Sequence, residues 1–160
     1  MVARYVAAGV LVDTNLLLMY LVGAHDPDEI PRFKRTQQFT SGDHALLTDF
    51  LGLFRRVVTT PHILTEVSNL AGQLADRTRT GVFETLSEGI ELFHERHTPA
   101  SELAAEPAFP RFGIADAAVL HEAKGRYLVL TDDFRLSQYL QSEGVDVFNF
   151  HHLQFYDVLG

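Results

Sequence analysis

Short apolar runs that alternate with longer helical segments constrain the fold of this chain more than any other feature. Continuous apolar or β-branched residues predict strands at 8–12, 56–60, 127–130 and 145–148. Such runs are typical of parallel strands that are buried on both faces, whereas a half-exposed strand alternates between apolar and polar residues. The pattern therefore predicts an α/β fold, in which helices cover both faces of a central parallel sheet.

Helices are predicted to occupy most of the chain between these strands. Apolar side chains recur at helical spacing, Pro61 suits a first helical position, and Gly125 ends one of the segments. We expect helices at 16–22, 43–54, 61–74, 80–97, 114–123 and 134–142. Residues 25–43 are rich in Pro, Asp and Gly and predict an irregular excursion with a short helix.

Length and composition are those of an ordinary globular domain. The chain has 160 residues, of which 46% are hydrophobic and 21% are charged. The absence of Cys excludes disulfides, thiolate metal sites and thiol catalysis. Asp13 interrupts the first apolar run before it could span a membrane. We expect a single domain over residues 1–160, in the cytoplasm and without a membrane partner.

The net charge of −8 is unevenly distributed. Residues 1–80 contain equal numbers of acidic and basic side chains, so the second half carries the whole negative charge. A nucleic acid would therefore need basic residues of the first half, together with cations, to bind. The candidate phosphate contacts are Arg32, Lys34, Arg35, Arg55 and Arg56.

Acidic residues occur where the predicted strands end. Asp13 ends the first strand, and Asp132 and Asp133 follow the strand at 127–130. Asp116 lies in the first turn of a predicted helix of otherwise small and apolar residues, and Glu66 lies in the helix after the second strand. Ligands of open parallel sheets bind outside the carboxyl ends of the strands. We therefore expect these acids to meet at one edge of the sheet.

Several carboxylates at one place predict a cation site. They repel one another, and all of them ionise only when cations are present. Ligation by oxygen alone suits Mg²⁺ or Mn²⁺, and such ions activate water and neutralise the charge on a phosphoryl group. Taken singly, each acid also has an ordinary structural explanation: Asp13 could form a turn, Glu66 could be a surface residue, and Asp116 could interact with a helix N-terminus. Their convergence favours metal-dependent hydrolysis of phosphodiester bonds.

Four segments resemble the PIN-domain family of metal-dependent nucleases, which includes the toxin ribonucleases of toxin–antitoxin pairs. They read VLVDTNLL at 10–17, VTTPHILTEV at 58–67, GIADAA at 113–118 and LTDD at 130–133. The resemblance implies a three-layer α/β/α sandwich and an acidic pocket that binds Mg²⁺ or Mn²⁺ and hydrolyses RNA. It also implies a twofold dimer and an antitoxin protein as partner.

Residue by residue, the resemblance places Asp13, Glu66 and Asp116 as the first three acids and Asp133 or Asp132 as the fourth. Asn15 and Thr131 match the polar residues that flank this pocket in the family. Asp133 is the expected ligand, because it stands where an N-cap would precede the helix at 134–142. Asp132 is expected either to support a ligand without touching the metal or to act through a water molecule.

Other interpretations remain open from the residues themselves. The chain is alternatively a catalytically weak PIN-like module that binds RNA or protein, or a receiver-like signalling domain. The second reading requires a lysine near the strand ends, whereas Lys34 and Lys124 are predicted in a loop and at a helix end. Further apolar residues predict self-association, since one small sheet leaves them uncovered: Phe39, Phe50, Phe54, Phe83 and Phe93.

Overall fold

The computed structural model describes residues 1–159 and has five strands in one all-parallel sheet. The strands are β1 (Val10–Val12), β2 (Val57–Thr59), β3 (His94–Glu95), β4 (Leu128–Thr131) and β5 (Val147–Asn149). Their order across the sheet is β3-β2-β1-β4-β5. Every residue of β1 and β4 is buried, as the continuous apolar runs predicted. The predicted α/β class is confirmed.

Helices flank the sheet on both sides and complete a three-layer α/β/α sandwich. A short 3₁₀ helix, Pro27–Glu29, lies in the predicted excursion. The α-helices of residues 1–159 are α1 (Val2–Tyr5), α2 (Thr14–His25), α3 (Ser41–Leu51), α4 (Pro61–Ala71), α5 (Asp76–Leu92), α6 (Ala100–Leu103), α7 (Phe109–Phe112), α8 (Ile114–Ala123), α9 (Phe134–Ser142) and α10 (Phe150–Leu159). No helix within these residues is long and apolar enough to cross a membrane.

The sheet changes its winding direction between β1 and β4. The chain moves from β1 outward to β2 and β3, and then returns to pair β4 with the other side of β1. Because crossovers between parallel strands are right-handed, the connections on the two sides of β1 lie on opposite faces of the sheet. A crevice opens outside the carboxyl ends of the strands at such a switch point. The residues that follow β1 and β4 therefore border the place where this fold offers a site.

Several segments differ from the prediction. The helix expected at 80–97 ends at Leu92, and His94 and Glu95 form the edge strand β3, which pairs with Val58 and Thr59. A two-residue strand of polar side chains has no apolar run, so no local pattern reveals it. Helices α1, α6, α7 and α10 were not predicted either, and the pair His151-His152 is exposed on α10.

The phenylalanines that predicted self-association are covered within one chain, so this argument for a dimer is wrong. Phe39, Phe50 and Phe54 are buried, and Phe83 and Phe93 pack against the core. Phe39 contacts Phe150 and Phe50 contacts Phe148, so the C-terminal part of the chain helps to cover them. Other large apolar side chains are exposed instead: Leu53, Ile90, Leu92, Phe134, Phe155 and Tyr156.

Candidate functional site

A pocket of about 360 Å³ opens at the carboxyl edge of the sheet. It contains four of the acids that the sequence singled out, Asp13, Glu66, Asp116 and Asp133, together with Asn15. Each acid comes from a different helix or helix cap, so the tertiary fold brings together residues that are far apart in the chain. The full lining is Asp13, Thr14, Asn15, Glu66, Asn69, Leu70, Asp116 and Asp133.

Asp13 is the most firmly held of these acids. It is the N-cap of α2, and its backbone N–H donates to the carbonyl of Leu130 at 3.0 Å, which ties β1 to β4. Its Oδ1 accepts from the backbone N–H of Thr14 at 2.7 Å, and its Oδ2 accepts from Oγ1 of Thr131 at 2.5 Å. Burial raises its pKa to about 6, although both hydrogen bonds act in the opposite direction.

Thr14 joins the first two acids of the pocket. Its backbone N–H binds Asp13, and its Oγ1 donates to Oε2 of Glu66 at 2.9 Å. Glu66 is exposed on α4, a helix that begins at Pro61 and is capped by the hydroxyl of Thr60. The sequence interpretation did not include Thr14 or Asn69. The position of Thr14 beside Asp13, and the three-residue spacing of Asn69 from Glu66 on one helix face, are the signals for them.

Asp116 enters the pocket from the first turn of α8, as predicted. The helix starts after Gly113, whose φ of 86° and ψ of −176° suit only glycine. Burial raises the pKa of Asp116 to about 8, with further contributions from the charges of Asp13, Glu66 and Asp133. The four carboxylates therefore interact strongly enough to disfavour their joint ionisation.

The structure separates Asp133 from Asp132. Asp133 is the N-cap of α9, as predicted, and its Oδ1 accepts from the backbone N–H of Leu136 at 2.9 Å. Its own backbone N–H donates to Oγ1 of Thr131 at 3.0 Å, so this threonine holds both Asp13 and Asp133 in place. Asp132 does not line the pocket; burial raises its pKa, and its Oδ1 is buried without a hydrogen-bond partner among the described residues.

The predicted phosphate contacts do not line the acidic pocket. Arg55 and Arg56 precede β2 and line a separate groove with Leu92 and Phe93, at the amino end of the strand. The remaining three are exposed around the excursion, where Nε of Arg35 donates to Oε1 of Gln73 at 2.9 Å. Within residues 1–159, no Lys or Arg belongs to the pocket lining. Their role in binding RNA stays a prediction.

The donor chemistry of the pocket fits a hard divalent cation. Four carboxylates, the amides of Asn15 and Asn69 and the hydroxyl of Thr14 supply oxygen ligands, with no thiol or imidazole in the lining. As the side chains of residues 1–159 stand, however, no group of three or more His, Asp or Glu residues is arranged to hold a metal ion. Closing the acids around a cation therefore requires side-chain movement, and Glu66 and Asp133 are the two exposed acids of the pocket.

No protein-family model matches the chain, and neither does any curated protein. The resemblance to PIN-domain nucleases thus depends on the four segments of the sequence and stays a prediction. What the structure contributes is the place of their acids, since each segment brings an acid to the same pocket.

Proposed function

We propose that this protein is a divalent-metal-dependent endoribonuclease whose active site is the acidic pocket. The observation that carries the proposal is the convergence of Asp13, Glu66, Asp116 and Asp133 on one pocket with no basic side chain in its lining. Uncompensated carboxylates in a half-buried site destabilise the folded state. A cation that neutralises them accounts for the arrangement, and the switch point of an open parallel sheet is where ligands bind.

The acids of the pocket would contribute to metal binding in different ways, some as fixed ligands and one as a ligand that changes its position. Mg²⁺ or Mn²⁺, when bound, supplies a Lewis acid that activates water and offsets charge on the phosphoryl group. Asp13 is held in one orientation by Thr14 and Thr131, so it provides a fixed ligand. Asp116 would contribute from the first turn of α8 and Asp133 from the N-cap of α9, while the exposed Glu66 would adjust to the ion.

The choice of RNA as substrate is supported by the resemblance of the four segments. An antitoxin partner and a twofold dimer have the same support. Leu53, Ile90 and Leu92 are individually exposed apolar side chains that such a contact could cover. Static light scattering at micromolar concentration checks the dimer, and a monomer mass contradicts it.

The direct test is cleavage of a mixed pool of single-stranded RNA by the purified protein with Mg²⁺, Mn²⁺ or EDTA. We expect cleavage only with a divalent metal. Asp116→Asn should lower the rate at least about 100-fold, since even groups that only support metal ligands typically contribute about 10- to 100-fold. Asp28→Asn, the same change at an exposed acid outside the pocket, is the matched control and should leave the rate unchanged. Cleavage that survives EDTA, or that Asp116→Asn does not affect, contradicts the proposal.

A second candidate is the catalytically weak module that binds RNA or protein. The observation in its favour is that no three acids among residues 1–159 form a ready ligand set. Calorimetry with Mn²⁺, read together with the cleavage assay, distinguishes the enzyme from the binding module. An enzyme binds the ion and cleaves RNA, whereas a module of this kind binds RNA without metal-dependent cleavage.

A further inference from the structure

Two arginines and two aromatic rings form a compact surface group next to the acidic pocket. The rings of Phe112 and Tyr139 lie 5.0 Å apart. Cζ of Arg111 lies 5.0 Å from the ring centre of Phe112 and 5.9 Å from that of Tyr139, and Cζ of Arg135 lies 5.3 Å from Phe112. We refer to Arg111, Phe112, Arg135 and Tyr139 as the arginine–aromatic cluster. Its members come from α7 and α9, so the tertiary fold assembles it.

The chain itself connects this cluster to two acids of the pocket. Phe112 is followed by Gly113, which turns the backbone into α8 and its first-turn residue Asp116. Arg135 lies in the first turn of α9, for which Asp133 is the N-cap. The backbone therefore joins the cluster directly to the segments that carry Asp116 and Asp133, although none of its four members lines the pocket itself.

The two guanidinium groups are free to bind a ligand. Both arginines are exposed, and within residues 1–159 neither of them forms an ion pair with a carboxylate. Contact with the aromatic rings orients them without using their N–H donors, which match phosphate oxygens in geometry. Two unpaired positive charges in the acidic half of the chain mark a local site for an anion.

Phe134 adds an exposed apolar side chain at the start of α9, the helix that carries Arg135 and Tyr139. It stands between Asp133 and Arg135 in the chain and is 67% exposed, although a phenylalanine is normally buried. A nucleobase that is not paired presents a flat face to such a ring, and stacking contributes about 1–3 kcal/mol per base. The combination of an exposed ring with neighbouring guanidinium groups is typical of surfaces that bind single strands.

We propose that Phe134 and the arginine–aromatic cluster bind the single-stranded RNA segment next to the cleaved phosphodiester. A base stacks on Phe134, while Arg111 and Arg135 contact the flanking phosphates. This inference rests on the proposed ribonuclease function and specifies its substrate as unpaired RNA, because a base within a duplex has no free face to offer. The four acids repel the RNA backbone, and the two arginines compensate for this repulsion.

The test is fluorescence anisotropy with a labelled single-stranded oligoribonucleotide, in EDTA so that binding is measured without cleavage. Phe134→Ala should weaken binding about 10-fold, since the loss of one stacked base is of that order. Phe155→Ala is the matched control, because Phe155 is 62% exposed on α10, and it should leave affinity unchanged. Both phenylalanines are exposed, so neither change should alter the thermal midpoint.

The double variant Arg111→Gln/Arg135→Gln tests the phosphate contacts. The slope of log Kd against log salt should fall by about 1.4, because each contact with a single strand contributes about 0.7. Arg4→Gln/Arg77→Gln is the control pair, with both side chains exposed, outside the cluster and outside the candidate phosphate contacts of the sequence, and it should leave the slope unchanged. If only this control pair lowers the slope, the RNA path runs over the first half of the chain and the inference is overturned.

Failure of this inference can be distinguished from failure of the proposed ribonuclease function. Unchanged affinity in Phe134→Ala and in the double variant overturns the inference, whereas metal-dependent cleavage by the same variants leaves the ribonuclease proposal intact. Conversely, the expected losses of affinity in a protein that never cleaves RNA support the binding surface and contradict the enzyme. Equal loss with a fully paired duplex overturns the preference for unpaired RNA, and no binding of the oligoribonucleotide by the unaltered protein overturns the whole inference.

Discussion

Neutralising Asp116 should stabilise the protein in the absence of metal, and this effect should grow with pH. The carboxyl is half-buried, and its pKa is raised to about 8 by burial and by the charges of Asp13, Glu66 and Asp133. An acid whose pKa is higher in the folded than in the unfolded state destabilises folding at every pH above the unfolded value. Stability is therefore lost as the pH rises from about 4 to about 8, and Asp116→Asn removes this loss.

The size of the effect follows from the two pKa values. Between the ordinary value of 3.8 and pH 7, the unfolded chain is ionised while the folded protein largely retains the proton. At about 1.4 kcal/mol per tenfold change in acidity, the upper bound is about 4 kcal/mol at pH 7. Partial solvation and relaxation of the site reduce the expected gain to about 2 kcal/mol. For a chain of this length, that gain raises the thermal midpoint by about 4–8 °C.

Thermal unfolding in EDTA, followed by circular dichroism at several pH values, measures this difference. The midpoints of Asp116→Asn and the unaltered protein should coincide near pH 4 and diverge towards pH 8. Asp28→Asn, at an exposed acid of the 3₁₀ helix, should show no such divergence. A fall in the midpoint of Asp116→Asn, or a rise that is equal at all pH values, refutes the electrostatic reasoning and indicates a structural role for this carboxylate.

Three further substitutions test the supports of the site and of the fold. Thr131→Val removes the hydrogen bond that lowers the pKa of Asp13, so the affinity for Mn²⁺ near neutral pH should fall about tenfold. Calorimetry measures this affinity, and an unchanged value shows that the threonine does not support Asp13 as a ligand. In Gly113→Ala the added Cβ contacts no neighbouring atom, but alanine is forced into a backbone conformation suited to glycine. The free energy of unfolding, measured with urea, should therefore fall by about 1–3 kcal/mol, and an unchanged value argues against backbone strain. Glu122→Gln breaks the buried carboxylate's ion pairs with Arg96 and Arg126 and should cost about 2 kcal/mol at pH 7, after allowance for the partial exposure of both arginines. Burial raises the pKa of Glu122, but its hydrogen bonds and the arginine charges outweigh burial and lower it. The difference from the unaltered protein should therefore shrink progressively as the pH falls below the ordinary value of 4.5, and a difference that does not shrink in this range refutes the ionic explanation.

The sequence by itself determined the features that depend on near neighbours in the chain. Continuous apolar runs predicted β1 and β4, because a strand covered on both faces is apolar along most of its length. The N-cap role of Asp133 was predictable for a similar reason, since its carboxylate bonds to a backbone N–H only three residues away. With parallel strands, these local features also implied that the acids lie at one edge of the sheet.

Tertiary structure alone decided what depends on distances across the fold. Strand β3 exists because two polar residues reach the edge of β2, and no pattern within residues 94–95 encodes that pairing. The raised pKa of Asp116 arises from burial and from acids on other elements, and the arginine–aromatic cluster combines α7 with α9. Local patterns record backbone preferences and the side of an element that must be buried. Electrostatic and stacking energies depend on the separation of groups in space, which is defined only after the chain has packed.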